Sequence, residues 1–389
     1  MKLLERLLAR LHARAPAHTP HPAPPLDARI ATIIDDALAS AGLARADAQG
    51  GTIAGVIDEA LTRAGLRGPG AAPDLEPEPV PPASVPAAPP LGAGERSGPA
   101  RGQFLSRSFA GPAGTLPYKL YVPAAHASDA QRLFPLIVML HGCTQSPDDF
   151  ATGTRMNELA DRHGLLVAYP AQSAHANGSK CWNWFRPQDQ VRGMGEPALI
   201  AGMTGQIGAD NRVDPRRVYV AGLSAGAAMA VVLGRTYPDL YAAVGVHSGL
   251  PYRAARDVGS AFAAMKAGAA RPSDAGPRVN DTFMPTIVFH GDRDHTVTAS
   301  NGAAVIAQAT GSGTAPPLAA VHDTGTASGG RSYALTRYTD ADGRAVVEDW
   351  RVHGGGHAWM GGSAQGTYTD PTGPDASAEM VRFFLQHAL

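Results

Sequence analysis

Arg217-Val218-Tyr219-Val220-Ala221-Gly222-Leu223-Ser224-Ala225-Gly226-Ala227-Ala228-Met229-Ala230-Val231-Val232-Leu233-Gly234 is the stretch that decides the fold. Its first five residues are β-branched, aromatic and small, the composition of a buried strand. Its last eight are Ala-rich and apolar, the composition of a buried helix. Between them lies G-x-S-x-G. A serine on a sharp strand-to-helix turn projects its hydroxyl above the sheet, and side chains two residues before and after it would collide. Gly222 and Gly226 leave that room, so Ser224 reads as a nucleophile rather than a surface serine in a Gly-rich turn.

Outward from this turn the chain alternates strands and helices. Strands are expected near Phe104–Phe109 and at Tyr118–Val122, Phe134–Leu140, Leu165–Tyr169, Ala242–His247 and Thr286–His290. Tyr333–Tyr338 and Val346–Val352 read as a late hairpin or adjacent strands. Helices are expected at Met156–His163, Glu196–Asp210, Ala254–Ala267, Asn301–Thr310 and Asp375–His387. This order predicts an α/β architecture: a mostly parallel central sheet with helices on both faces.

A serine needs a base, and where such a turn occurs in an α/β-hydrolase fold the order is Ser, then Asp or Glu, then His. The strand ending at His290 runs into Gly291-Asp292-Arg293-Asp294-His295-Thr296-Val297. The spacing favours Asp294 as the acid, with Asp292 as the alternative. After Val352 comes His353-Gly354-Gly355-Gly356-His357-Ala358-Trp359. A glycine-rich loop can carry an imidazole over the serine, so His357 is the expected base and His353 the alternative. His387 reads as a surface residue of the closing helix, whereas His247, His290 and His322 read as structural or supporting. The expected oxyanion donors are the backbone N–H groups of Ala225 and Cys143, the latter in His141-Gly142-Cys143-Thr144-Gln145.

The first hundred residues differ from the rest. They contain no Phe, Tyr or Trp, and fifteen of the 33 prolines precede residue 100. The segment is read as an appendage over 1–68 and a Pro/Ala-rich linker over 69–100, ahead of a catalytic domain over 101–389. Ile30–Leu43 recurs as Ile53–Leu66, two helical copies that form either a small docking module or a duplicated spacer. Met1–Leu11 places Leu3, Leu4, Leu7, Leu8 and Leu11 on one helical face. Glu5, Arg6 and Arg10 break its apolar run, so it reads as an amphipathic helix rather than a signal peptide. A net charge of −1 without charge blocks gives no support for nucleic-acid binding. No apolar run is long enough to span a membrane, and no ligand-spaced Cys/His motif suggests a metal.

The motifs taken together resemble the catalytic domain of poly(3-hydroxybutyrate) depolymerase family esterases, which is similar to feruloyl and acetylxylan esterases. The resemblance is carried by Leu140–Gln145, Cys181-Trp182-Asn183-Trp184-Phe185, Gly222–Gly226, Val244–Tyr252 and Gly356–Trp359. It covers residues 101–389 and implies an α/β-hydrolase fold, with Ser224, Asp294 and His357 as a triad that needs no cofactor. It further implies an ester substrate, either short-chain 3-hydroxyacyl polyesters and their oligomers or plant cell-wall esters. A non-catalytic scaffold is the reading from another class. Trp182, Trp184 and Trp359 are expected to line an apolar acyl pocket. Both cysteines fall in these motifs, and the expectation is a Cys143–Cys181 disulfide; two free thiols are the alternative, favoured by a reducing compartment. The Leu-striped helix is the expected contact with a polymer granule, or else a short helix on its own chain. The absence of a clear leader points to the cytoplasm, while the resemblance points to an extracellular location.

Overall fold

The computed structural model describes residues 102–269, 283–311 and 316–389. The appendage, its repeat, the linker and the Leu-striped helix lie outside the described residues. A ten-stranded sheet organises the rest, in the order β1-β2-β4-β3-β5-β6-β7-β10-β9-β8. The strands are β1 (Gln103–Gly111), β2 (Gly114–Val122), β3 (Phe134–Leu140), β4 (Leu166–Pro170), β5 (Val213–Leu223), β6 (Ala243–His247), β7 (Thr286–Gly291), β8 (Ala319–Thr326), β9 (Ser332–Thr339) and β10 (Ala345–Val352). The six central strands, from β4 across to β10, run parallel, and antiparallel pairs flank them.

Alternation along the central strands explains two apolar layers. On β3, Leu136, Val138 and Leu140 face one layer with Val218 and Val220 of β5. Ile137 and Met139 face the other with Tyr219, Ala221 and Leu223. Helices α3 (Gly195–Asp210), α4 (Ala225–Thr236), α5 (Val258–Ala267) and α6 (Ser300–Thr310) cover the first layer. Helices α1 (Pro147–Thr154), α2 (Met156–His163) and α7 (Ala376–Phe384) cover the second. None of the described helices is long and apolar enough to cross a membrane.

Local chemistry accounts for the departures from expectation. Helix α5 begins at Val258 rather than Ala254, because Asp257 accepts the Ser260 N–H in a capping box. Helix α1 was not expected; Ser146 caps it, Pro147 opens it, and Asp148 and Asp149 occupy its first turn. Strand β8 was also not expected, since its sequence lacks an apolar face; it is an exposed edge held by pairing with β9. His387 lies beyond the end of α7 and is buried, with Nε2 3.1 Å from the Ala345 carbonyl, so its expected surface position is corrected.

Candidate active site

The carboxyl ends of parallel strands face one way, so the loops leaving β3, β5, β7 and β10 gather on one edge of the sheet. Those four loops carry Cys143, Ser224, Asp294 and His357. Ser224 lies between β5 and α4 with φ 57° and ψ −119°. Holding a non-glycine residue there costs on the order of 1–3 kcal/mol. Packing enforces the turn. A Cβ on Gly226 would meet the Leu140 carbonyl oxygen at 2.1 Å, and one on Gly222 would meet the Gly226 carbonyl carbon at 2.4 Å. The Ser224 N–H donates to the His247 carbonyl at 2.9 Å.

Asp294 is held from several sides. Its Oδ1 accepts the N–H groups of Thr296 at 3.0 Å and Val297 at 2.8 Å. Its Oδ2 lies 2.7 Å from His357 Nδ1 and 3.5 Å from His290 Nε2. Burial disfavours the charged carboxylate, but the hydrogen bonds and charge of the two histidines outweigh it and hold Asp294 well below the usual carboxylate range. The alternatives raised by the sequence separate cleanly. Asp292 Oδ2 lies 3.0 Å from His353 Nδ1, and its Oδ1 accepts the Gly354 N–H. Asp292 and His353 thus form a second, exposed pair at the base of the glycine loop.

His247 ties the serine turn to the histidine loop. It sits between Phe289 and Trp359, and its Nε2 accepts the Met360 N–H at 3.0 Å. Burial pushes its pKa down to about 3, so the ring is neutral. One residue therefore contacts the Ser224 backbone through its carbonyl and the segment following His357 through its ring.

The loop after β3 is equally constrained. Cys143 is joined to Cys181 by a disulfide. Thr144 donates its N–H to Ser179 at 2.7 Å. Gln145 accepts the Gly142 N–H at 2.9 Å and donates to Asp149 and Thr367. Among the described residues, the Cys143 N–H has no hydrogen-bond partner. The Ala225 N–H opens α4, where a helix leaves its first amides unpaired.

A family model described as Esterase PHB depolymerase matches residues 116–313, half of the chain. This chain belongs to the esterase PHB depolymerase family. The matched span includes Cys143, Ser224 and Asp294 and ends before His357. The chain is 35% identical to poly(3-hydroxyalkanoate) depolymerase C of Paucimonas lemoignei, over 66% of this chain and 60% of that protein. It is 35% identical to feruloyl esterase B of Neurospora crassa over 30% of this chain and 39% of that one. It thus spans less than two thirds of the length of these relatives. Among solved structures, an acetyl xylan esterase from Aspergillus awamori aligns with a TM-score of 0.53 at 20% identity. That alignment covers 73% of this chain and 99% of that one, and it shows the shared α/β-hydrolase fold.

In this family member the three tryptophans do not present open faces. Trp182 is fully enclosed, and its indole N–H donates to the His141 carbonyl at 3.1 Å. Trp359 is enclosed likewise, and donates to Ser377 at 3.0 Å. Trp184 is buried edge-on against Phe185. Where an acyl-pocket lining is expected, these side chains pack behind the loops, and the indole N–H groups of Trp182 and Trp359 are taken by structural hydrogen bonds.

Glu196 carries no functional signal in the sequence. Its carboxylate accepts from the Asn183 N–H at 2.7 Å, Asn183 Nδ2 at 2.5 Å and Gln172 Nε2 at 2.6 Å. Burial raises its pKa to about 7 against those hydrogen bonds. It anchors the Trp-bearing loop to the start of α3. A lone Glu at a helix start reads as an ordinary first-turn acid, and only the fold brings Asn183 and Gln172 to it.

Proposed function

We propose that this protein is a serine carboxylic ester hydrolase that cleaves short-chain 3-hydroxyacyl polyesters or their oligomers through an acyl-enzyme. The reading rests on the buried Asp294–His357 pair, 2.7 Å apart, on the same sheet edge as a serine held at a left-handed turn. With Nδ1 engaged by Asp294, Nε2 of His357 is free to take the Ser224 proton as Oγ attacks the ester carbonyl. The negative charge that develops on the carbonyl oxygen is received by the N–H groups of Cys143 and Ala225. His357 then returns the proton to the departing alcohol, and water repeats the sequence to release the hydroxy acid. Asp294 stays ionised throughout and stabilises the imidazolium.

A polyester substrate is preferred over a plant cell-wall ester because similarity to the depolymerase relative runs over twice as much of the chain as similarity to the feruloyl esterase. The deciding experiment compares hydrolysis of 3-hydroxybutyrate oligomers, polymer granules, methyl ferulate and acetylated xylan by the full chain. Preference for the oligomers or polymer supports the reading; preference for ferulate or xylan acetate replaces it with the cell-wall alternative. Ser224→Ala is the control, and a variant as active as wild type would remove Ser224 from the mechanism.

A further inference from the structure

Among the described residues, seven that are not glycine have a positive φ, and six of the seven lie on loops that leave the carboxyl ends of strands. The exception, Arg155, joins α1 to α2 and donates to Gly361 and Asp375. Such backbone is costly and persists only where its surroundings hold it, so its concentration on one edge points to use. Lys180, at φ 52°, is one of the six. The residues on either side of it are both fastened to the loop after β3. The Ser179 carbonyl accepts the Thr144 N–H at 2.7 Å, and Cys181 is bonded to Cys143. Asn177 holds the turn from behind, its Oδ1 accepting the N–H groups of Ser179 and Cys181.

The Lys180 side chain is partly buried and, among the described residues, makes no hydrogen bond or ion pair. Its ammonium nonetheless acts on the loop after β3: burial is the chief cause that lowers the His141 pKa, and the Lys180 charge adds to it. The carboxylates that could neutralise it are engaged elsewhere. On the loops that leave β4, β6, β7 and β10, Asp189 accepts the Glu196 N–H and Asp257 caps α5. Asp292 and Asp294 face His353 and His357, while Asp370 and Asp375 pair with Arg331 and Arg155. A like charge, Arg253 at φ 61°, stands on the loop after β6 over the Tyr252 ring and against no carboxylate among the described residues. The edge that carries Ser224 therefore holds positive charge that the protein itself leaves uncompensated.

We propose that Lys180 is a specificity-determining residue whose ammonium receives a free carboxylate on the substrate, so that carboxylate-ended oligomers of a 3-hydroxy acid are cleaved in preference to neutral esters. This rests on the polyester reading above and names the oligomers it takes. In a dimer of such an acid, the acyl half passes to Ser224 and the departing half carries both the alcohol oxygen and the carboxylate. A fixed cation beside the loop after β3 attracts that anion before the ester bond breaks. Attraction of this kind raises the rate of encounter and weakens as salt is added.

The test uses the full chain and two forms of the 3-hydroxybutyrate dimer, the free acid and the terminal amide, which share one scissile ester and differ in one charge. The readout is the ratio of kcat/KM for the acid to that for the amide. It is taken within each protein, so any loss of folded enzyme cancels. Wild type should favour the acid in dilute buffer and lose most of that preference in high salt. Lys180→Gln should lower the ratio about 3- to 5-fold and Lys180→Glu about 10-fold or more, the scale of a partly screened ion pair, whereas Lys180→Arg should keep it. A wild type that cleaves both forms alike, a preference unmoved by salt, or a Lys180→Glu variant with the wild-type ratio would overturn the inference and leave the esterase reading standing. A wild type that hydrolyses p-nitrophenyl butyrate but neither dimer would refute the polyester reading, and the role of Lys180 with it. One that hydrolyses no ester would remove the esterase reading as well.

Discussion

His357 Nδ1 lies 2.7 Å from Asp294 Oδ2, and both side chains are almost wholly withdrawn from solvent. Asp294→Asn would leave the shape intact but replace an acceptor with an amide that favours the wrong tautomer of His357. A fall in kcat of about 10³–10⁴ is expected, by comparison with the same change in other triads. Asp292→Asn should cost far less, since that carboxylate serves His353. Steady-state kinetics of the two variants side by side would decide, and an equal loss in both would dissolve the distinction.

Three buried histidines set the response of stability to acid. Burial pushes His141 to about 4, His247 to about 3 and His387 to about 4. In the unfolded chain each takes up its proton near pH 6.5. Between pH 6.5 and 4 the unfolded state therefore binds more protons at these sites, and stability falls as pH falls, by up to about 1.4 kcal/mol per unit for each. Glu196 acts in the other direction. Its raised folded pKa gives a contribution fully present below its unfolded value of 4.5 and lost as pH rises through about 7. The three histidines outweigh Glu196 and the lesser upward shifts that burial gives Asp189 and Asp349, which leaves a net loss on acidification. Urea titrations at several pH values should show it, and His387→Gln, remote from the catalytic loops, should flatten the slope. Stability that rose on acidification from pH 6.5 to 4.5 would contradict the buried, neutral histidines.

Much of this arrangement was legible in the chain because it rests on short-range rules. Gly222 and Gly226 announce the turn, and strand ends followed by Asp or His announce the loops that meet over it. The choice between Asp292 and Asp294 also followed spacing, although the pairing of Asp292 with His353 did not. What escaped depends on contacts distant in sequence. Glu196 meets Gln172 only when the loop after β4 folds back on α3. The enclosure of Trp182 and Trp359 reflects how deeply their loops pack, which residue type does not disclose: an indole serves equally as pocket wall or as core. Strand β8 forms through pairing with β9 and carries no apolar pattern of its own.

The Cys143–Cys181 bond closes a loop with a sequence separation of 38 and ties down the loop that follows β3. Chain-entropy arguments give such a crosslink about 3–4 kcal/mol. Reduction, or a Cys143→Ala/Cys181→Ala double variant, should lower Tm by several degrees. It should also lower kcat, since the same bond tethers the loop that carries the Cys143 N–H. Scanning calorimetry with and without reductant tests the first effect. Two free thiols titrated in denatured, unreduced protein would show that the bond does not form.

Gly226→Ala tests how tightly the turn at Ser224 is built. The added Cβ would lie 2.1 Å from the Leu140 carbonyl oxygen and 2.6 Å from that of His141. Both oxygens belong to backbone at the end of β3, so neither can rotate aside as a side chain would. The turn can accept the methyl only by separating α4 from β3, which opens the core around Ala227 and Ala228 and moves Ser224 away from the His247 carbonyl. The expected cost exceeds about 4 kcal/mol, in the range of severe core disruption. A matched change on the exposed face of α3, Gly205→Ala, meets nothing within 4 Å. It removes a helix-interior glycine and should stabilise by about 0.5–1 kcal/mol. Denaturation midpoints of the two variants, with activity on p-nitrophenyl butyrate, provide the comparison. Wild-type stability and activity in Gly226→Ala would mean that the close approach of the turn to β3 is not needed.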